Sequence, residues 1–366
     1  MKIIYLYPSL AIWGGIERIL VNKMNYLVRH EDYDVYMITS DQGQHSIPYD
    51  LDERVHLIDL NIRFHTRYRY KLWRRLIEYR RLSRKYHDQL RHLFKEIEPD
   101  VIVCTSAQDI RPLLKAKGHF PLVVESHINF SHPDTWQHRV RTLINNYWIG
   151  KAETVVTLTN GDAKNWSRIS RRVYVIPNVV NLNDTDQYSD CTEKRVIFVG
   201  RFEEQKSIGD LFDIWKLVHP QFPDWQLDLY GEGTLWNHYK QEADDLNINI
   251  QVHEPIGHIM DVYRNSSILV LTSLYEPFGL VIPEAMSCGL PVVAFECPYG
   301  PADIITDGED GFLIKDRSIR DFADKLCQLM ENESLRKKMG EAGVSSSKRY
   351  NLDCIMPMWI ELWKGL

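Results

Sequence analysis

Short, uninterrupted apolar runs alternate with longer segments of helical periodicity from one end of the chain to the other. Runs that are apolar throughout predict parallel β-strands that are covered on both faces. Their alternation with helices predicts α/β architecture with right-handed crossovers. The predicted strands are Ile3–Tyr7, Val35–Thr39, Val101–Thr105, Leu122–Glu125, Thr154–Thr159 and Val173–Ile176, then Arg195–Gly200, Gln226–Tyr230, Ile248–Val252, Ile268–Thr272 and Val292–Phe295.

A chain of 366 residues is too long for one compact core and suits two. A polar stretch follows Pro177-Asn178, and a new strand begins directly after it. We therefore predict two Rossmann-like domains, 1–178 and 179–349, each with a doubly wound parallel sheet. A helix at about 350–366 could pack back on the first domain. Ligands of such sheets bind at the carboxyl ends of the strands, so two facing sheets would form one deep cleft.

Composition excludes several classes of protein. The chain has 44 basic and 50 acidic side chains, a net charge of −6, which does not favour nucleic-acid binding. Its six cysteines form no CxxC pair, which argues against a zinc ribbon or a redox dithiol. The first residues lack the shape of a signal peptide, and no apolar run reaches the length of a membrane span. We expect a cytoplasmic protein whose membrane contact, if any, is peripheral.

Two glycine-containing loops follow predicted strands. Gly14 and Gly15 precede a helix, where glycine lets backbone N–H groups approach an anion, although glycine is also common in ordinary turns. Gly200 and Arg201 follow the first strand of the second half, and Lys206 lies five residues further on. An arginine fork and a lysine point charge in one loop can both stabilise a leaving diphosphate. The alternative is a pair of solvated charges.

A third loop carries two carboxylates eight residues apart, Glu276 and Glu284. The backbone N–H groups of Phe278, Gly279 and Leu280 would lie near the start of the following helix, where the helix dipole favours phosphate. One carboxylate could bind sugar hydroxyls and the other a ribose. Glutamate near a helix start is also simply a favourable placement, so the spacing by itself leaves both interpretations open.

A single histidine, His127, follows the strand Leu122–Glu125 in the first half. Its position at the carboxyl end of a strand makes it a candidate catalytic group. A packed or solvated bystander is the alternative.

Together these motifs resemble the retaining, nucleotide-sugar-dependent glycosyltransferases of the GT-B fold, the glycosyl transferases group 1 family. The stretch from Glu276 to Ala294 is similar to the E-x7-E signature of that family. Further matches are Gly200-Arg201 with Lys206, Gly231-Glu-Gly233, and Pro177-Asn178-Val-Val.

The resemblance implies a role for each matching residue. Arg201 and Lys206 would hold the donor diphosphate, beside Gly200. Glu276 would bind the transferred sugar, helped by the backbone of Phe278, Gly279 and Leu280. Glu284 would bind the ribose of the donor, and Ile256 would line the pocket of its base. Gly14 and Gly15 would contact the distal phosphate, and His127 would lie near the anomeric carbon.

The resemblance also implies the reaction. The family retains anomeric configuration, usually without a metal, and no cofactor is expected. Where many members carry Gly-Gly, this chain has Cys297-Pro-Tyr-Gly300, which resembles members that use UDP-linked sugars. The implied reaction moves a hexose or N-acetylhexosamine to a glycan acceptor, which could be lipid-linked, in cell-surface polysaccharide or glycoconjugate assembly. The alternatives are a sugar-nucleotide epimerase or hydrolase, and a non-catalytic partner that binds sugar nucleotides.

A basic segment at 62–95 holds twelve Lys or Arg and two acids. At helical spacing its apolar residues from Leu72 to Leu93 form one stripe, and its basic residues lie opposite. The simpler interpretation is a core-packed helix with a solvated basic face. The other is a surface for anionic lipid or a lipid-linked acceptor. The residues predicted for that surface are Trp73, Arg74, Arg81, Arg84 and Lys85.

Overall fold

The computed structural model describes residues 1–105, 110–127, 130 and 136–366. The chain divides into two compact units. The first comprises Met1–Val179 with Ile355–Leu366, and the second comprises Val180–Cys354.

Unit 1 contains a seven-stranded parallel sheet with the strand order β3-β2-β1-β4-β5-β6-β7. Its central strands are buried along their whole length because helices cover both faces of the sheet. The strands are β1 (Lys2–Tyr7), β2 (Asp34–Thr39), β3 (His56–Asp59), β4 (Val101–Cys104), β5 (Leu122–Ser126), β6 (Thr154–Thr157) and β7 (Val173–Val175). The helices are α1 (Gly15–His30), α2 (Leu72–Ile97), α3 (Ile110–Ala116), α4 (Trp136–Ile149) and α5 (Asn160–Trp166).

Unit 2 contains a six-stranded parallel sheet with the order β10-β9-β8-β11-β12-β13. The strands are β8 (Arg195–Val199), β9 (Gln226–Tyr230), β10 (Ile250–His253), β11 (Ile268–Leu271), β12 (Val292–Phe295) and β13 (Gly311–Ile314). The helices are α6 (Ile208–Val218), α7 (Trp236–Leu246), α8 (Ile259–Arg264), α9 (Val281–Ser287), α10 (Gly300–Ile304), α11 (Ile319–Glu331) and α12 (Glu333–Ser347).

The last helix, α13 (Leu352–Lys364), contributes its residues from Ile355 onward to unit 1. Trp363 packs edge-on against Tyr5 of β1, with ring centroids 6.5 Å apart. The side chains of Trp359 and Trp363 are buried. The amphipathic end of the chain is thereby part of the core of unit 1.

The predicted fold class, two α/β domains with parallel sheets, is confirmed. Two strands were not predicted, β3 and β13, and both lie at a sheet edge. In β3 no residue is fully buried, so its sequence carries no continuous apolar run. An edge strand has one neighbouring strand only, so β3 needs little apolar surface and is hard to detect. β13 is mostly buried, but it is only four residues long.

The prediction of a core-facing apolar stripe on α2 is wrong for the first turns of the helix. Leu82, Tyr86 and Leu90 are buried in the core of unit 1, as expected. Leu76, by contrast, is 54% exposed, and the neighbouring Ile77 is 65% exposed. The side chain of Leu72 lies outside the described part of the structure. The first turns of α2 therefore extend beyond the core that its later turns cover.

Candidate active site

The strongest side-chain contact among the predicted site residues joins two loops at the carboxyl edge of the unit 2 sheet. Lys206 lies in a short 3-10 helix after β8, and Glu276 follows β11. The Lys206 ammonium nitrogen lies 2.6 Å from Glu276 Oε2, and both side chains are about one-tenth exposed. β8 and β11 are hydrogen-bonded neighbours, so parallel pairing brings these loops to the same edge.

Further hydrogen bonds fix the two loops against each other. The Thr272 hydroxyl donates to the Lys206 carbonyl over 3.0 Å. The Leu274 N–H donates to the Gln205 carbonyl over 2.8 Å, and the Gln205 side-chain amide donates to the Tyr275 carbonyl over 2.8 Å. The Lys206–Glu276 pair is therefore held by main-chain groups on both sides.

The loop after β9 closes over the first of these loops. A Cβ on Gly231 would lie 1.9 Å from the Gly200 carbonyl oxygen, and Gly231 has a φ of +155°, so only glycine fits. The Phe202 N–H donates to the Glu232 carbonyl over 2.7 Å. Gly200 itself lies against the Lys206 side chain, and Arg201 is exposed beside it.

The loop after Glu276 presents main-chain donors. Gly279 has a φ of +94°, and a Cβ at this position would lie 3.1 Å from Glu276 Cγ. Among the residues that the structure describes, no acceptor contacts the N–H groups of Phe278, Gly279 and Leu280. Glu284 lies buried in the first turn of α9. Donors that remain available at a strand end can bind an anion.

Sequence reasoning missed Arg317, which supports the loop that precedes Glu276. Its guanidinium donates to the carbonyls of Ser273 and Thr272 over 2.9 and 3.1 Å and pairs with Asp210. It also lies over the ring of Phe295, 4.5 Å from the centroid. A lone arginine 41 residues after Glu276 gives no signal in the sequence, because only folding brings it to the loop.

The loop after β10 carries the predicted base-binding residue Ile256, which is 48% exposed. At the adjoining strand ends, His253 stacks on Tyr230 with ring centroids 4.4 Å apart. His253 also contacts Asp228 through Nε2 over 2.8 Å. This aromatic pair was not predicted, since its two members lie on different strands.

In unit 1 the Gly14-Gly15 loop leads into α1, as predicted. The carboxylate of Glu17 lies directly beside Gly14. A Cβ on Gly14 would lie 2.0 Å from Glu17 Oε2. Glu17 is buried and accepts a hydrogen bond from the Tyr7 hydroxyl over 3.0 Å. Burial, followed by the charge of Glu17, raises the pKa of Tyr7. An incoming phosphate would therefore meet Glu17 next to the amides of this helix start.

His127 follows β5 and is buried. Its Nε2 lies 3.3 Å from Glu125 Oε1 but forms no hydrogen bond with any described residue. Glu125 in turn contacts the Lys23 ammonium through both oxygens at 2.9 Å. Burial raises the pKa of Glu125, but the charges of Lys23 and His127 outweigh it and hold that pKa at about 2.

A cavity of about 210 Å³ opens at the ends of β1, β2 and β4. β1 lies between β2 and β4, so the strand order reverses here, and such switch points bind ligands in open α/β sheets. At its rim, His65 Nδ1 lies 2.6 Å from Asp41 Oδ2. The polar lining consists of Tyr7, Ser40, Asp41, His65, Arg67 and Tyr68, and the apolar lining of Leu6, Pro8, Ile38, Phe64, Tyr86 and Cys104. None of the polar group was predicted as a site residue.

The predicted basic surface lies on α2, which begins shortly after the cavity-lining residues Phe64, His65, Arg67 and Tyr68 in the chain. Trp73 is 83% exposed. The Arg74 guanidinium lies 5.2 Å from the Tyr70 ring centroid, and Arg81 pairs with Glu78 on the same helix. Arg84 is exposed, whereas Lys85 donates to the Asn61 carbonyl over 3.1 Å.

An exposed apolar stripe on α4 was missed because its spacing is that of an ordinary core-facing helix. Its members are between 45% and 64% exposed: Val140, Leu143, Ile144 and Tyr147.

Within the described ranges, no cluster of three or more His, Cys, Asp or Glu side chains could hold a metal ion. The same part of the chain contains no helix that is both long and apolar enough to span a bilayer.

Comparisons with known proteins agree with this architecture. The Glycosyltransferase Family 4 model matches residues 13–184, and the Glycosyl transferases group 1 model matches residues 183–345. The chain is 28% identical to the amylovoran biosynthesis glycosyltransferase AmsD of Erwinia amylovora, over 99% of both chains.

Two further proteins are similar over almost the whole chain. A Campylobacter jejuni enzyme is 24% identical over 99% of this chain and 98% of its own, and its name describes an N-acetyl-D-galactosaminyltransferase acting on a diphospho-undecaprenol-linked glycan. The structure of S. aureus TarM, solved with fondaparinux, α-GlcNAc-glycerol and UDP, covers 99% of both chains with a TM-score of 0.79 and 17% identity.

Two parallel-sheet α/β domains and this pair of family matches define the class of protein, a glycosyltransferase of the GT-B fold. Its first half is similar to the Glycosyltransferase Family 4 model and its second half to the Glycosyl transferases group 1 model, each over a little less than half of the chain.

Proposed function

We propose that this protein is a retaining hexosyltransferase. It transfers a hexose or N-acetylhexosamine from a UDP-linked donor to a glycan acceptor that is carried on a lipid, in the assembly of a cell-surface polysaccharide or glycoconjugate. No metal or cofactor takes part in the proposed reaction. The observation that carries the proposal is the buried contact between Lys206 and Glu276 at the carboxyl edge of unit 2.

That contact supports a donor site. An ammonium group has three N–H donors, so Lys206 can hold Glu276 with one and donor phosphate oxygens with the others. The exposed Arg201 and the available N–H groups of Phe278, Gly279 and Leu280 add further donors for a diphosphate. Glu276 is then held as an acceptor for hydroxyls of the transferred sugar.

The proposed chemistry is a front-face displacement. The bond between the anomeric carbon and the diphosphate oxygen breaks, and the acceptor oxygen bonds to the same face of the sugar. The departing diphosphate oxygen takes the proton from the acceptor hydroxyl. Lys206 and Arg201 stabilise the negative charge that grows on the diphosphate. His127 is assigned to the reaction because it resembles the family's histidine. Fixed cations lower such barriers because they need no reorganisation during the reaction.

The UDP preference predicts a nucleotide-dependent thermal shift. TarM was solved with UDP, and the Cys297–Gly300 segment resembles that of UDP-sugar users. We expect UDP-sugars at 100 times their Kd to stabilise the folded protein by about 2.7 kcal/mol, with GDP- and ADP-sugars giving no shift. Differential scanning fluorimetry across the three nucleotide series measures this. Equal shifts for all three would contradict the UDP assignment.

The cavity of unit 1 is proposed to bind the sugar of the acceptor. Its apolar floor and its Asp41–His65 pair suit a sugar ring, and its volume is too small for much more than one. Asp41→Asn removes a charged hydrogen-bond acceptor, so we expect the KM for acceptor to rise about 10- to 100-fold. Donor hydrolysis without acceptor should stay unchanged. The control is Asp100→Asn, directly before β4. An unaltered acceptor KM in Asp41→Asn would contradict the assignment.

The basic first half of α2 is proposed to contact anionic lipid at the cytoplasmic face of the membrane, with Trp73 in the interface. Each basic residue near such a surface contributes about 1 kcal/mol, so Arg74→Glu with Arg84→Glu should weaken vesicle binding by at least about 30-fold. Flotation with phosphatidylglycerol-containing and neutral vesicles measures this. The control, Arg91→Glu with Lys95→Glu, reverses two charges on the later turns of the same helix. Equal losses in both variants, or binding that ignores lipid charge, would end the membrane proposal.

The alternative activities are separated by one assay. An epimerase or a hydrolase converts the sugar nucleotide at full rate without acceptor, whereas a transferase needs the acceptor. A non-catalytic partner would bind the donor and convert nothing.

A further inference from the structure

The most deeply buried charges described in unit 1 lie next to the proposed catalytic histidine. Lys23 of α1 and Glu125 of β5 are 1% and 2% exposed, and they form two 2.9 Å contacts. Desolvation makes a buried ion pair a poor source of stability, and apolar residues of similar size often replace one without loss. A contribution to folding stability therefore does not explain the Lys23–Glu125 pair. Its position beside His127 suggests a role in the reaction.

Glu125 links this pair to His127. The two residues are separated by one position at the end of a strand, so their side chains point to the same face of the sheet. Glu125 Oε1 contacts Lys23 at 2.9 Å and lies 3.3 Å from His127 Nε2. The Nε2 atom is buried and has no hydrogen-bond partner within the described ranges. The ionised carboxylate lies 3.3 Å from Nε2, close enough to attract this edge of the ring electrostatically; it therefore restricts the orientation of the ring and leaves Nδ1 for the substrate.

The last helix of the chain, α13, packs against Lys23. The Lys23 ammonium lies 3.6 Å from the centroid of a Trp359 ring, over its face, and 5.8 Å from that of Tyr5. Contact with an aromatic face stabilises a desolvated cation. Burial lowers the pKa of Lys23, and its contacts with Glu125 and with the Trp359 face oppose this by favouring the ammonium. The charge of Lys23 in turn favours the ionised form of Glu125 beside the histidine.

We infer that Glu125 is a positioning residue for His127, and that Lys23 and Trp359 hold Glu125 in place for this task. The inference rests on the proposed function, because it assigns His127 to the reaction. In this arrangement Trp359 of the C-terminal helix influences His127 indirectly, through Lys23 and Glu125.

A double-mutant cycle on turnover tests the inference. Lys23→Met with Glu125→Gln removes both charges and leaves neither partner buried alone, so the variant is expected to fold. We expect kcat to fall at least tenfold, and His127→Asn to lower it as much or more. Combined with His127→Asn, the pair replacement should cause no further loss, because residues that act as a unit are not additive. A purely structural pair would instead give losses that multiply.

The matched control is a second ion pair in unit 1. Lys117 and Glu153 are 2.8 Å apart, and Glu153 accepts from the N–H of Leu122 at the start of β5, the opposite end from His127. Lys117→Met with Glu153→Gln should leave kcat unchanged. If thermal melting shows that the Lys23/Glu125 variant is unfolded, the same cycle is run with Glu125→Asp. Aspartate keeps the negative charge, but its shorter side chain withdraws the carboxylate from His127.

The outcomes separate this inference from the proposed function. An unchanged kcat in the Lys23/Glu125 variant, or losses that multiply with His127→Asn, would overturn the positioning role while wild-type transfer still supports the transferase. Wild-type kcat in His127→Asn would do the same. No transfer and no donor hydrolysis by the wild-type protein would instead reject the proposed function.

Discussion

Replacement of Lys206 by alanine is expected to lower kcat by about 100- to 1,000-fold, or about 3–4 kcal/mol in the barrier, because a fixed donor to the leaving diphosphate is lost. Steady-state kinetics with a UDP-sugar donor measures this. The exposed Arg201 lies on the same loop, so Arg201→Ala should also reduce kcat sharply. Lys216→Ala, on the exposed side of α6, is the control and should retain wild-type kinetics.

Loss of Lys206 also leaves Glu276 in a mostly buried site without its cation. Removal of one partner of a buried ion pair costs about 3–5 kcal/mol of folding stability, so thermal melting must be recorded for each variant. Arg201→Ala lacks this complication, because Arg201 contributes no buried charge. Near-native kcat in both folded variants would reject the assignment of the diphosphate site.

Gly300→Ala is the second replacement with a large expected effect. A Cβ at this position would lie 1.8 Å from the Phe278 carbonyl oxygen and 2.4 Å from its carbon. These are main-chain atoms, so the clash cannot be relieved by a side-chain rotation. The loop that carries the proposed phosphate-binding amides must move, and a displacement of about 1 Å can cost about 100-fold in kcat/KM. Overpacking should also lower the free energy of unfolding by about 1–3 kcal/mol.

Urea unfolding and donor titration of Gly300→Ala test both effects. The control is Gly209→Ala in α6, where the nearest neighbour of the new Cβ would be the Tyr239 hydroxyl at 3.7 Å. Gly209 is the second residue of α6, and alanine is the better helix former, so the replacement should be neutral or stabilising by up to about 1 kcal/mol. Gly300→Ala with native donor affinity would show that the Phe278–Leu280 loop does not bind the donor.

The fold could be predicted because its signal is local. β4 and β5 are buried on both faces, so their apolar runs stand out in the sequence. β3 is an edge strand without a fully buried residue, and its pattern does not separate it from a loop. The exposed Leu76 on α2 shows the converse, because helical periodicity predicts an apolar face but not whether a core reaches it.

The site could be predicted only where residues lie close together in the chain. Glu276 and Glu284 belong to one motif, and Arg201 and Lys206 to another. The cavity at Asp41 and His65 was missed because its lining comes from several strand ends. Lys23 was missed too, since a lysine on an amphipathic helix is normally solvated, and its partner Glu125 is 102 residues away.

The amino-acid sequence by itself determined the alternation of strands and helices, the two-domain plan and the loops that carry the motifs, because these depend on hydrophobic periodicity and local turn chemistry. The tertiary structure decided which charges meet. Lys206 reaches Glu276 because β8 and β11 pair, and Lys23 is buried against Glu125 because α1 packs on the sheet beneath α13. Such contacts depend on strand order and burial, which no short stretch of sequence encodes.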